Sequence, residues 1–352
     1  MLIGMDFGGT KKVDGVIDPL LPQPVIRMRR YKTRNMLTNA ELLEETRRSL
    51  QEFGATPQNC VIGISAAGAI DREKLLVLHS PNTKIPPPLD FAARLREEGY
   101  RVVIGNDLAM AAYGVGTLNG TGNAVVITFS SGMNTGVMVE GKLLEAETGH
   151  CEYPYASDWP WSTPPSCNCP GSPSKRCVEA FASGNGAGRM FRAAFMDGLV
   201  KPDHPVFTHL IRQLNEDEAE GGPFKPDDLL RPARRDMILD HLTSEAVYAA
   251  HATHPDQITD RIRLIQERAI AHVLKDAVLH YGRQKITIIG GLTHWWDLLF
   301  MPAIERAKHE GSNILPMPPV EKCPYPEPCL VGAALYARDV FGAANGEKHT
   351  TP

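Results

Sequence analysis

The chain has 352 residues, of which 43% are hydrophobic and 22% charged, and its formal net charge is −4. This length exceeds what one hydrophobic core usually serves, so we expect two domains; the lack of a long basic run argues against nucleic acid or an anionic membrane as a partner. No apolar run approaches the roughly 20 residues of a membrane span, and a strand predicted from residue 2 leaves no room for a signal peptide. These features indicate a cytoplasmic globular protein.

The first 115 residues alternate between strand and helix patterns. Four runs predict strands: LIGMDF, VIRMRRYK, CVIGISAAG and RVVIGND. Between them, residues 40–54 and 89–100 carry apolar residues at helical spacing, and the two helices close at Gly54 and Gly99. The stretch VDGVIDPLLP predicts a hairpin turn, which makes the early strands antiparallel. The alternation predicts an α/β fold.

The first strand runs into Asp6-Phe7-Gly8-Gly9-Thr10-Lys11. Glycines at a strand end let backbone N–H groups approach a ligand closely, an acid can hold a hydrated metal ion, and a lysine suits an anion. The segment therefore predicts one half of a phosphate site. A tight Gly-Gly hairpin turn is the alternative explanation.

Asn106 and Asp107 stand between the apolar strand RVVIG and a helix start rich in small residues. An acid at the end of a strand, at the edge of an α/β sheet, is well placed to accept the proton of a substrate hydroxyl. Capping of the following helix by the aspartate is the alternative, and the two roles are compatible.

A second block begins near residue 120 and repeats the opening pattern. Residues 123–144 predict a buried strand, a turn of small residues from Ser130 to Gly136, and a return strand, which suggests a duplicated architecture. A buried strand, KITIIGG, ends in Gly290-Gly291, whose flat backbone would suit an adenine ring. Two turns of small residues, one per half, are what a nucleotide held between two lobes needs.

The connecting segments differ in character. Residues 153–174 are rich in Pro, Trp, Ser and Cys and predict a long loop, residues 214–236 predict an exposed polar excursion, and residues 260–282 predict an amphipathic helix. The stretch LVGAALYARDVFG predicts a final helix with small residues on one face. For Trp159, Trp161, Trp295 and Trp296, packing is favoured over stacking on a ligand.

Seven cysteines are too few for a disulfide framework in a chain of this length. Cys167, Cys169 and Cys177 form a cluster, and with His150 they make a common structural zinc set. Free or partly buried thiols are the alternative, and Cys151 could compete as a ligand. Cys60, Cys151, Cys323 and Cys329 are best explained by core or surface packing.

Together these motifs resemble the ROK family of bacterial sugar kinases and repressors, within the actin-like ATPase superfamily, over nearly the whole chain. MDFGGTK resembles the first phosphate motif, GISAAG the glycine-rich stretch, HSPN a sugar-binding turn, IGNDLAMAAYG the catalytic segment and ETGH the E-x-G-H motif. CNC…CVEAFASG resembles the zinc signature, which is the most family-specific motif. IIGGL and VGAAL resemble the adenosine-side and C-terminal motifs.

The resemblance implies a two-lobed ribonuclease H-like α/β fold with duplicated mixed sheets and an interlobe cleft. The expected N-terminal lobe is 1–117, with a C-terminal helix near 329–352 packing back on it, and the other lobe is 118–328. The implied activity is ATP-dependent phosphorylation of a hexose or N-acetylhexosamine at O6. The implied cofactors are structural Zn²⁺ and Mg²⁺ with ATP, and the implied assembly is a homodimer.

The resemblance also assigns roles to individual residues. Asp107 would be the general base. The other sugar hydroxyls would bind to Asn82, Asn106, Glu147, His150 and Glu179. The zinc ligands would be His150, Cys167, Cys169 and Cys177. Asp6 would hold Mg²⁺ through water, and the nucleotide and its phosphates would contact Gly8, Gly9, Thr10, Lys11, Ser131, Gly132, Asn134, Gly136, Gly290 and Gly291.

Three departures from the family pattern keep alternatives open. The second phosphate loop reads SSGMNTG where the family has G-T-G-x-G-G-G, the spacing of the cysteines is looser than usual, and Ala67 replaces a proline. A non-catalytic sugar sensor is the main alternative, and a kinase for a polyol or a nucleoside is another. Repressors of the family carry an N-terminal helix-turn-helix, for which the position of the first phosphate motif leaves no room.

Overall fold

The computed structural model of the chain describes residues 1–8, 11–33, 36–80, 83–144, 147–162, 164–167, 169, 175–216, 223–282, 284–310 and 315–344. The chain divides into two compact units. The first unit comprises Met1–Val126, Gly136–Ala146 and Cys323–Pro352, and the second comprises Ile127–Thr135 and Glu147–Lys322. The domain boundary predicted near residue 117 falls inside the opening segment of the first unit.

The strands of the first 106 residues are β1 (Leu2–Phe7), β2 (Lys12–Ile17), β3 (Val25–Tyr31), β4 (Val61–Ala66), β5 (Ala69–Asp71), β6 (Leu76–His79) and β7 (Arg101–Asn106). Five of them form a sheet in the order β3-β2-β1-β4-β7, and β5 pairs with β6. The β1–β2 and β2–β3 pairs are antiparallel, as predicted, whereas β1, β4 and β7 are parallel. The three parallel strands therefore end at the same edge of the sheet.

The second sheet contains β8 (Ala124–Phe129), β9 (Met133–Val139), β10 (Lys142–Leu144), β11 (Ile286–Ile289) and β12 (Val320–Lys322). Its order is β10-β9-β8-β11-β12, with β9 and β10 antiparallel and β11 and β12 parallel. Each sheet thus combines a hairpin side with a parallel side. The predicted α/β class with duplicated mixed sheets is confirmed.

The helices, in chain order, are α1 (Asn39–Phe53), α2 (Phe91–Glu97), α3 (Asp107–Leu118), α4 (Glu179–Ala182), α5 (Gly186–Met196), α6 (Pro205–Glu216), α7 (Pro232–Leu239), α8 (Ser244–Thr253), α9 (Gln257–Tyr281), α10 (Met301–Glu310) and α11 (Pro328–Ala344). Their ends follow local sequence signals. Thr38 and Glu41 form a capping box at the start of α1, and Gly54 ends it with a φ of 71°. Asp256 caps the long helix α9, which ends at Gly282.

The final helix, α11, packs against β1, β4 and α3 in the first unit. This approach requires glycine on both sides. A Cβ at Gly63 would lie 1.7 Å from the carbonyl oxygen of Ala333, and one at Gly332 would lie 1.7 Å from that of Met110. Side chains at these positions would push the helix away from the sheet, so the predicted stripe of small residues serves close backbone packing.

The polar stretch 214–236, predicted as an exposed excursion, contains helical segments where it is described. A single turn spans Pro226–Leu230, and α7 begins at Pro232, because proline fixes a φ suited to the first helical position. Asp228, which is largely buried, lies within 3.5 Å of the guanidinium groups of Arg231 and Arg234. These ion pairs allow a charged segment to bury Leu229.

No described helix combines the length and the apolar character that would be needed to cross a lipid bilayer.

Candidate functional site

Strand β7 ends at Asn106, and α3 begins at Asp107. The side-chain oxygen of Asn106 accepts hydrogen bonds from the N–H groups of Leu108 (3.0 Å) and Ala109 (3.4 Å). Asn106 is therefore the helix cap, and the alternative explanation of Asp107 as the cap is wrong. Asp107 is half-buried and accepts a hydrogen bond from Leu108 N–H at 2.9 Å. Asp107 therefore stands in the first turn of α3, at the positive end of the helix dipole.

The register of the first sheet places Asp6 at the same edge as Asp107. Asp6 of β1 lies opposite Ser65 of β4, and Ser65 lies opposite Gly105 of β7, one residue before Asn106. Neighbouring strands are about 4.8 Å apart, so the two acids stand at the carboxyl ends of strands separated by one strand. Ligands of open α/β sheets bind at such an edge.

Ser65 supports Asp6, a role that the sequence did not reveal. Its hydroxyl donates a hydrogen bond to Asp6 Oδ1 at 2.7 Å. Burial raises the pKa of Asp6 to about 6, and the hydrogen bond from Ser65 opposes that rise. The parallel pairing of β1 with β4 brings Asp6 and Ser65 side by side, and the sequence alone predicted no register for these two strands.

The turn after β1 is tight. The N–H of Gly8 donates to the carbonyl oxygen of Lys11 at 2.9 Å, and the hydroxyl of Thr33 donates to the carbonyl oxygen of Gly8 at 3.0 Å. Gly8 N–H is thus engaged within the turn. Two other predicted phosphate residues, Gly9 and Thr10, and the predicted sugar residue Asn82 lie outside the described residues.

The two lysines after the turn have different environments. Lys11 is exposed, whereas Lys12 is fully buried and forms an ion pair with Asp14. Burial lowers the pKa of Lys12, and the hydroxyl of Tyr31 donates to Asp14 Oδ2 at 3.2 Å. Of the two lysines, Lys11 is therefore the one that is accessible to an anion from solvent, and its role at a phosphate stays a prediction, whereas the Lys12 ammonium is paired in the interior.

In the second unit, the segment Ser130–Thr135 contacts two of the predicted sugar-binding acids. Met133 N–H donates to Glu179 Oε2 at 3.2 Å, and a Cβ at Gly132 would lie 2.7 Å from the same oxygen. Gly132 therefore makes room for Glu179. Gly136, in the first unit, has a different reason to be glycine, since a Cβ there would lie 2.0 Å from the carbonyl oxygen of Leu108.

Asn134 connects this segment to the E-x-G-H motif. Its side-chain nitrogen donates to Glu147 Oε2 at 3.2 Å, and its oxygen accepts from the N–H groups of Thr135 (2.8 Å) and Thr148 (3.1 Å). A glycine at this position could make none of these bonds. The departure from the glycine-rich pattern therefore has a structural consequence, because it fastens Glu147 and Thr148 to the segment.

The four predicted metal ligands come together. The ligand atoms of His150, Cys167, Cys169 and Cys177 all lie within 4.8 Å of one another. Cys169 Sγ is 3.5 Å from Cys177 Sγ, and Cys167 Sγ is 3.7 Å from His150 Nδ1. Bonds of about 2.0–2.3 Å to a tetrahedral zinc ion give ligand separations of this size. The donor set and its geometry fit zinc.

The ligand cluster adjoins Glu179, because Cys167 Sγ lies 3.5 Å from Glu179 Oε1. The three cysteines are buried, and burial raises the pKa of the Cys167 thiol, a cost that a bound cation would offset. Cys151 is exposed and is not one of the four clustered residues. All seven cysteines, each in the described part of the chain, are free of disulfides.

A cavity of about 380 Å³ lies in the second unit beside Ser130 and Ser131. Its other lining residues are Gly184, Asn185, Thr243, Ser244, Glu245, Gly291, Leu292, His294 and Trp295. Gly290 has a φ of 102°, and a Cβ there would lie 2.4 Å from the carbonyl oxygen of Phe129, so glycine is required for the turn. A Cβ built at Gly291 would meet open space beyond its chain neighbours, so glycine there leaves the backbone uncovered at the cavity.

All four tryptophans have aromatic packing partners, which supports the packing interpretation. Trp159 packs edge-on against Trp161 and against Phe181, and Trp296 stacks on Phe300 at 5.1 Å. Trp295 contacts Tyr248 but also lines the cavity beside Gly291. It is the one tryptophan of the four whose position suits contact with a ligand in that cavity.

Comparison with known proteins gives a consistent match. A sequence profile described as the ROK family matches residues 2–311. A glucokinase of Streptomyces coelicolor is 28% identical over 194 residues, which is 52% of this chain and 56% of that protein, so the match spans little more than half of the relative's length. A glucokinase of Thermotoga maritima is 25% identical over 87% of this chain and 86% of its own length.

Solved structures show the same fold. A ROK family glucokinase from Streptomyces griseus, in complex with glucose and AMPPNP, has a TM-score of 0.63 at 21% identity and covers 96% of this chain and 99% of its own. A ROK family transcriptional regulator, a homologue of the Escherichia coli MLC protein, has a TM-score of 0.65 at 18% identity, with coverages of 97% and 78%. At these identities the likeness extends to the fold alone.

Proposed function

Because the chain belongs to the ROK family, we propose that it is a sugar kinase that transfers a phosphoryl group from Mg-ATP to a hydroxyl of a hexose or N-acetylhexosamine, at O6. The observation that carries the proposal is that Asp6 and Asp107 stand at the same carboxyl edge of the first sheet. Asn106 caps α3, so the Asp107 carboxylate is not needed as the cap. A kinase needs an acid for the metal and another for the hydroxyl.

In this mechanism Asp107 is the general base. It accepts the proton of the sugar hydroxyl as the bond to the γ-phosphorus forms and the bond from that phosphorus to ADP breaks. The carboxylate stands at the positive end of the α3 dipole, and Asn106 orders the first turn of α3 by accepting hydrogen bonds from Leu108 and Ala109 N–H. Phosphoryl transfer depends mainly on in-line positioning and charge neutralisation, so the rigidity of this strand-to-helix junction contributes directly.

Asp6 would hold Mg²⁺ through water, and the ion would supply charge neutralisation for the β- and γ-phosphates. The carboxylate is the form that binds a cation, and the pKa of Asp6 is about 6, so Asp6 is mostly ionised at neutral pH. Lys11, which is exposed, would add a positive charge beside the phosphates. Ser65 is proposed as a positioning residue for Asp6.

Glu147, His150 and Glu179 would bind sugar hydroxyls. The metal would be a structural zinc ion held by His150, Cys167, Cys169 and Cys177, and it would supply no chemistry to the transfer. Of the two histidine nitrogens, Nδ1 is the one near Cys167, so Nε2 would be left for a sugar hydroxyl. Asn134 orients Glu147, and Met133 N–H orients Glu179.

The nucleotide base would lie in the 380 Å³ cavity, with Gly291 and Trp295 as its walls. Ser130 and Ser131 line the same cavity, which is consistent with their place in the second phosphate segment. The size is within the usual range for small-molecule sites, about 300–1,000 Å³.

A second candidate function is a sugar sensor without catalysis. It is favoured by the hydrogen bonds that tie Asn134 to Glu147 and Thr148, since side chains now occupy a segment that the family keeps glycine-rich. Likeness in fold to a ROK transcriptional regulator does not by itself separate the two candidates. A sensor should bind sugar without releasing ADP.

The test is a coupled ADP-release assay with Mg-ATP against hexoses, N-acetylhexosamines and polyols, with NMR of the product to identify the phosphorylated oxygen. We expect turnover on one sugar, and a loss of about 10²–10⁴-fold in kcat for Asp107→Asn with sugar affinity retained. Asp236→Asn, an exposed neutralisation on α7, is the control.

Turnover of Asp107→Asn within a few-fold of the parent would refute the assigned base. Sugar binding in a thermal-shift assay without any ADP release would favour the sensor.

A further inference from the structure

Strand β7 is the last strand of the first sheet, and its outer edge has no partner strand. The sheet order is β3-β2-β1-β4-β7, and β7 pairs with β4 on one side only. Apart from that pairing, no main-chain hydrogen bond involves residues 101–104 in the described part of the chain. The edge of a sheet presents N–H and C=O groups that can pair with another chain.

A cavity of about 490 Å³, here called the β7 groove, lies along this edge. Four consecutive residues of the strand, Arg101–Ile104, line it. Successive side chains of a strand point to opposite faces of the sheet, so a cavity lined by all four opens on the edge of the strand. The other lining residues belong to the segments around β5 and α2 or to α11, namely Arg72, Leu75, Arg96, Tyr100, Tyr336, Val340 and Phe341.

The two helices beside the groove cover opposite faces of the sheet. Val102 and Ile104 share a hydrophobic cluster with residues of α2, whereas the Arg101 guanidinium lies over the Phe341 ring of α11, at 5.9 Å from its centroid. The main chain of β7 is thus at the bottom of the groove, with one helix on each side. This geometry suits an extended chain that lies parallel or antiparallel to β7.

The groove carries positive charge that the chain does not neutralise. Arg96 and Arg101 are exposed, and each donates to a main-chain carbonyl oxygen, at 3.1 and 3.4 Å. Neither forms an ion pair with a carboxylate within the described residues, whereas Arg94, on the same helix as Arg96, pairs with Asp90. No aspartate or glutamate is among the described residues that line the groove. Acidic side chains would therefore match its rim.

The side of the groove formed by α11 is apolar, with Tyr336, Val340 and Phe341 as its lining residues. We propose that the β7 groove binds an extended acidic segment of another protein, which pairs with β7 as an additional strand. Main-chain bonds to β7 give affinity, acidic side chains reach Arg96 and Arg101, and alternate apolar side chains lie against α11.

The charge of the groove also argues against a second copy of this chain as the occupant. Symmetric pairing of two β7 edges would bring the arginines of both copies together, and like charges on facing strands are destabilising. Neither Asp6 nor Asp107 lines the groove, so the proposal is independent of the transfer reaction.

The test is fluorescence anisotropy of the full chain with a labelled peptide of alternating glutamate and valine. Two kinds of control peptide separate charge from strand pairing. One carries lysine in place of glutamate, and the others carry N-methyl groups along one edge or the other, which removes the N–H groups of that edge. We expect the glutamate peptide to bind, the lysine peptide not to bind, and one methylated peptide to bind about tenfold more weakly.

Substitution of the two arginines tests the charge. Arg96→Gln and Arg101→Gln should each weaken the glutamate peptide by about threefold, and the double variant by about tenfold, because exposed ion pairs are individually weak. Arg94→Gln removes the same charge from the same helix outside the groove and should leave the affinity unchanged.

A substitution on α11 tests the opposite side of the groove. Val340 is 39% exposed, so Val340→Glu adds a negative charge without disturbing the core, and we expect it to weaken the glutamate peptide by about threefold or more. Met237→Glu, at a residue that is 48% exposed in the second unit, is the matched control. Amide hydrogen exchange should slow in residues 101–106 when the peptide binds.

Four results would overturn the proposal. These are no binding at millimolar peptide, equal binding of all methylated peptides, affinity that ignores the double arginine variant, and unchanged hydrogen exchange in β7. Sedimentation of the chain alone checks the remaining occupant. A dimer that Val340→Glu dissociates would show that a second copy occupies the groove, and the proposed partner would then be wrong.

Discussion

The two acidic regions of the molecule are built in different ways. At the edge of the first sheet, Asp6 and Asp107 are held by strand register and by the start of a helix. In the second unit, Glu147 and Glu179 are held by side-chain contacts with residues that are distant in sequence, among them Asn134 and Cys167. In the first region, substitution of one side chain should therefore leave the backbone positions of the acids unchanged. In the second region, a single substitution should displace the acid that the substituted side chain contacts.

Among the substitutions considered, the largest effect is expected at the metal ligands. Under the proposed zinc assignment, Cys177→Ser should abolish zinc binding and lower the free energy of unfolding by about 3–5 kcal/mol, because the metal would join His150 to three cysteines further along the chain. Sugar affinity should fall with it, since Cys167 lies against Glu179. The measurements are metal content by mass spectrometry, thermal unfolding, and sugar titration.

Cys151→Ser is the matched control, because Cys151 is exposed and lies outside the ligand cluster. A Cys177→Ser protein with unchanged metal content and melting temperature would show that the cluster is a set of packed thiols, and the contrast between the two regions would disappear.

A smaller effect is expected at Asn134. Asn134→Asp keeps the oxygen that faces Thr135 and Thr148 but replaces the donor to Glu147 with a like charge. The pair is exposed and screened by solvent, so we expect about a fivefold rise in sugar KM with little change in kcat. Steady-state kinetics at saturating Mg-ATP measure both constants.

Asn123→Asp is the control, because it makes the same charge change at a turn in the first unit. It should leave the sugar KM and kcat unaltered. If Asn134→Asp instead lowered kcat and left KM alone, the side chain would act on the phosphates rather than on Glu147.

The smallest expected effect is at Ser65. Ser65→Ala removes a hydrogen bond that lowers the pKa of Asp6, so that pKa should rise further above about 6. The acidic limb of kcat/KM should move to higher pH by up to about one unit, because Mg²⁺ needs the ionised carboxylate. Raising the Mg²⁺ concentration should move the limb back.

The contribution of Asp6 to stability should change with pH in the direction opposite to kcat/KM. The folded pKa of Asp6 lies above its ordinary value of 3.8, so the folded state binds more protons than the unfolded state between about pH 4 and 6. The contribution of Asp6 to the free energy of unfolding therefore falls as pH rises through that window.

The kinetic prediction has its own contradicting outcome. If the acidic limb of kcat/KM shifted neither with Ser65→Ala nor with the Mg²⁺ concentration, Asp6 would not be the residue that holds the metal.

The sequence by itself determined the parts of this protein that depend on neighbouring residues along the chain. The strand runs, the helix ends at Gly54 and Gly282, the α/β class and the four candidate metal ligands all follow from residue type and spacing, because strand, helix and cap preferences are local. Within residues 226–239, Pro226 and Pro232 stand at the starts of the two helical segments, which is a local preference of proline.

Only the tertiary structure decided which residues support the acids. Ser65 reaches Asp6 through a strand pairing, Asn106 rather than Asp107 takes the cap, and Asn134 reaches Glu147 across a turn. Hydrogen bonds and burial depend on distances between residues far apart in sequence, and those distances are fixed only when the sheets and helices pack.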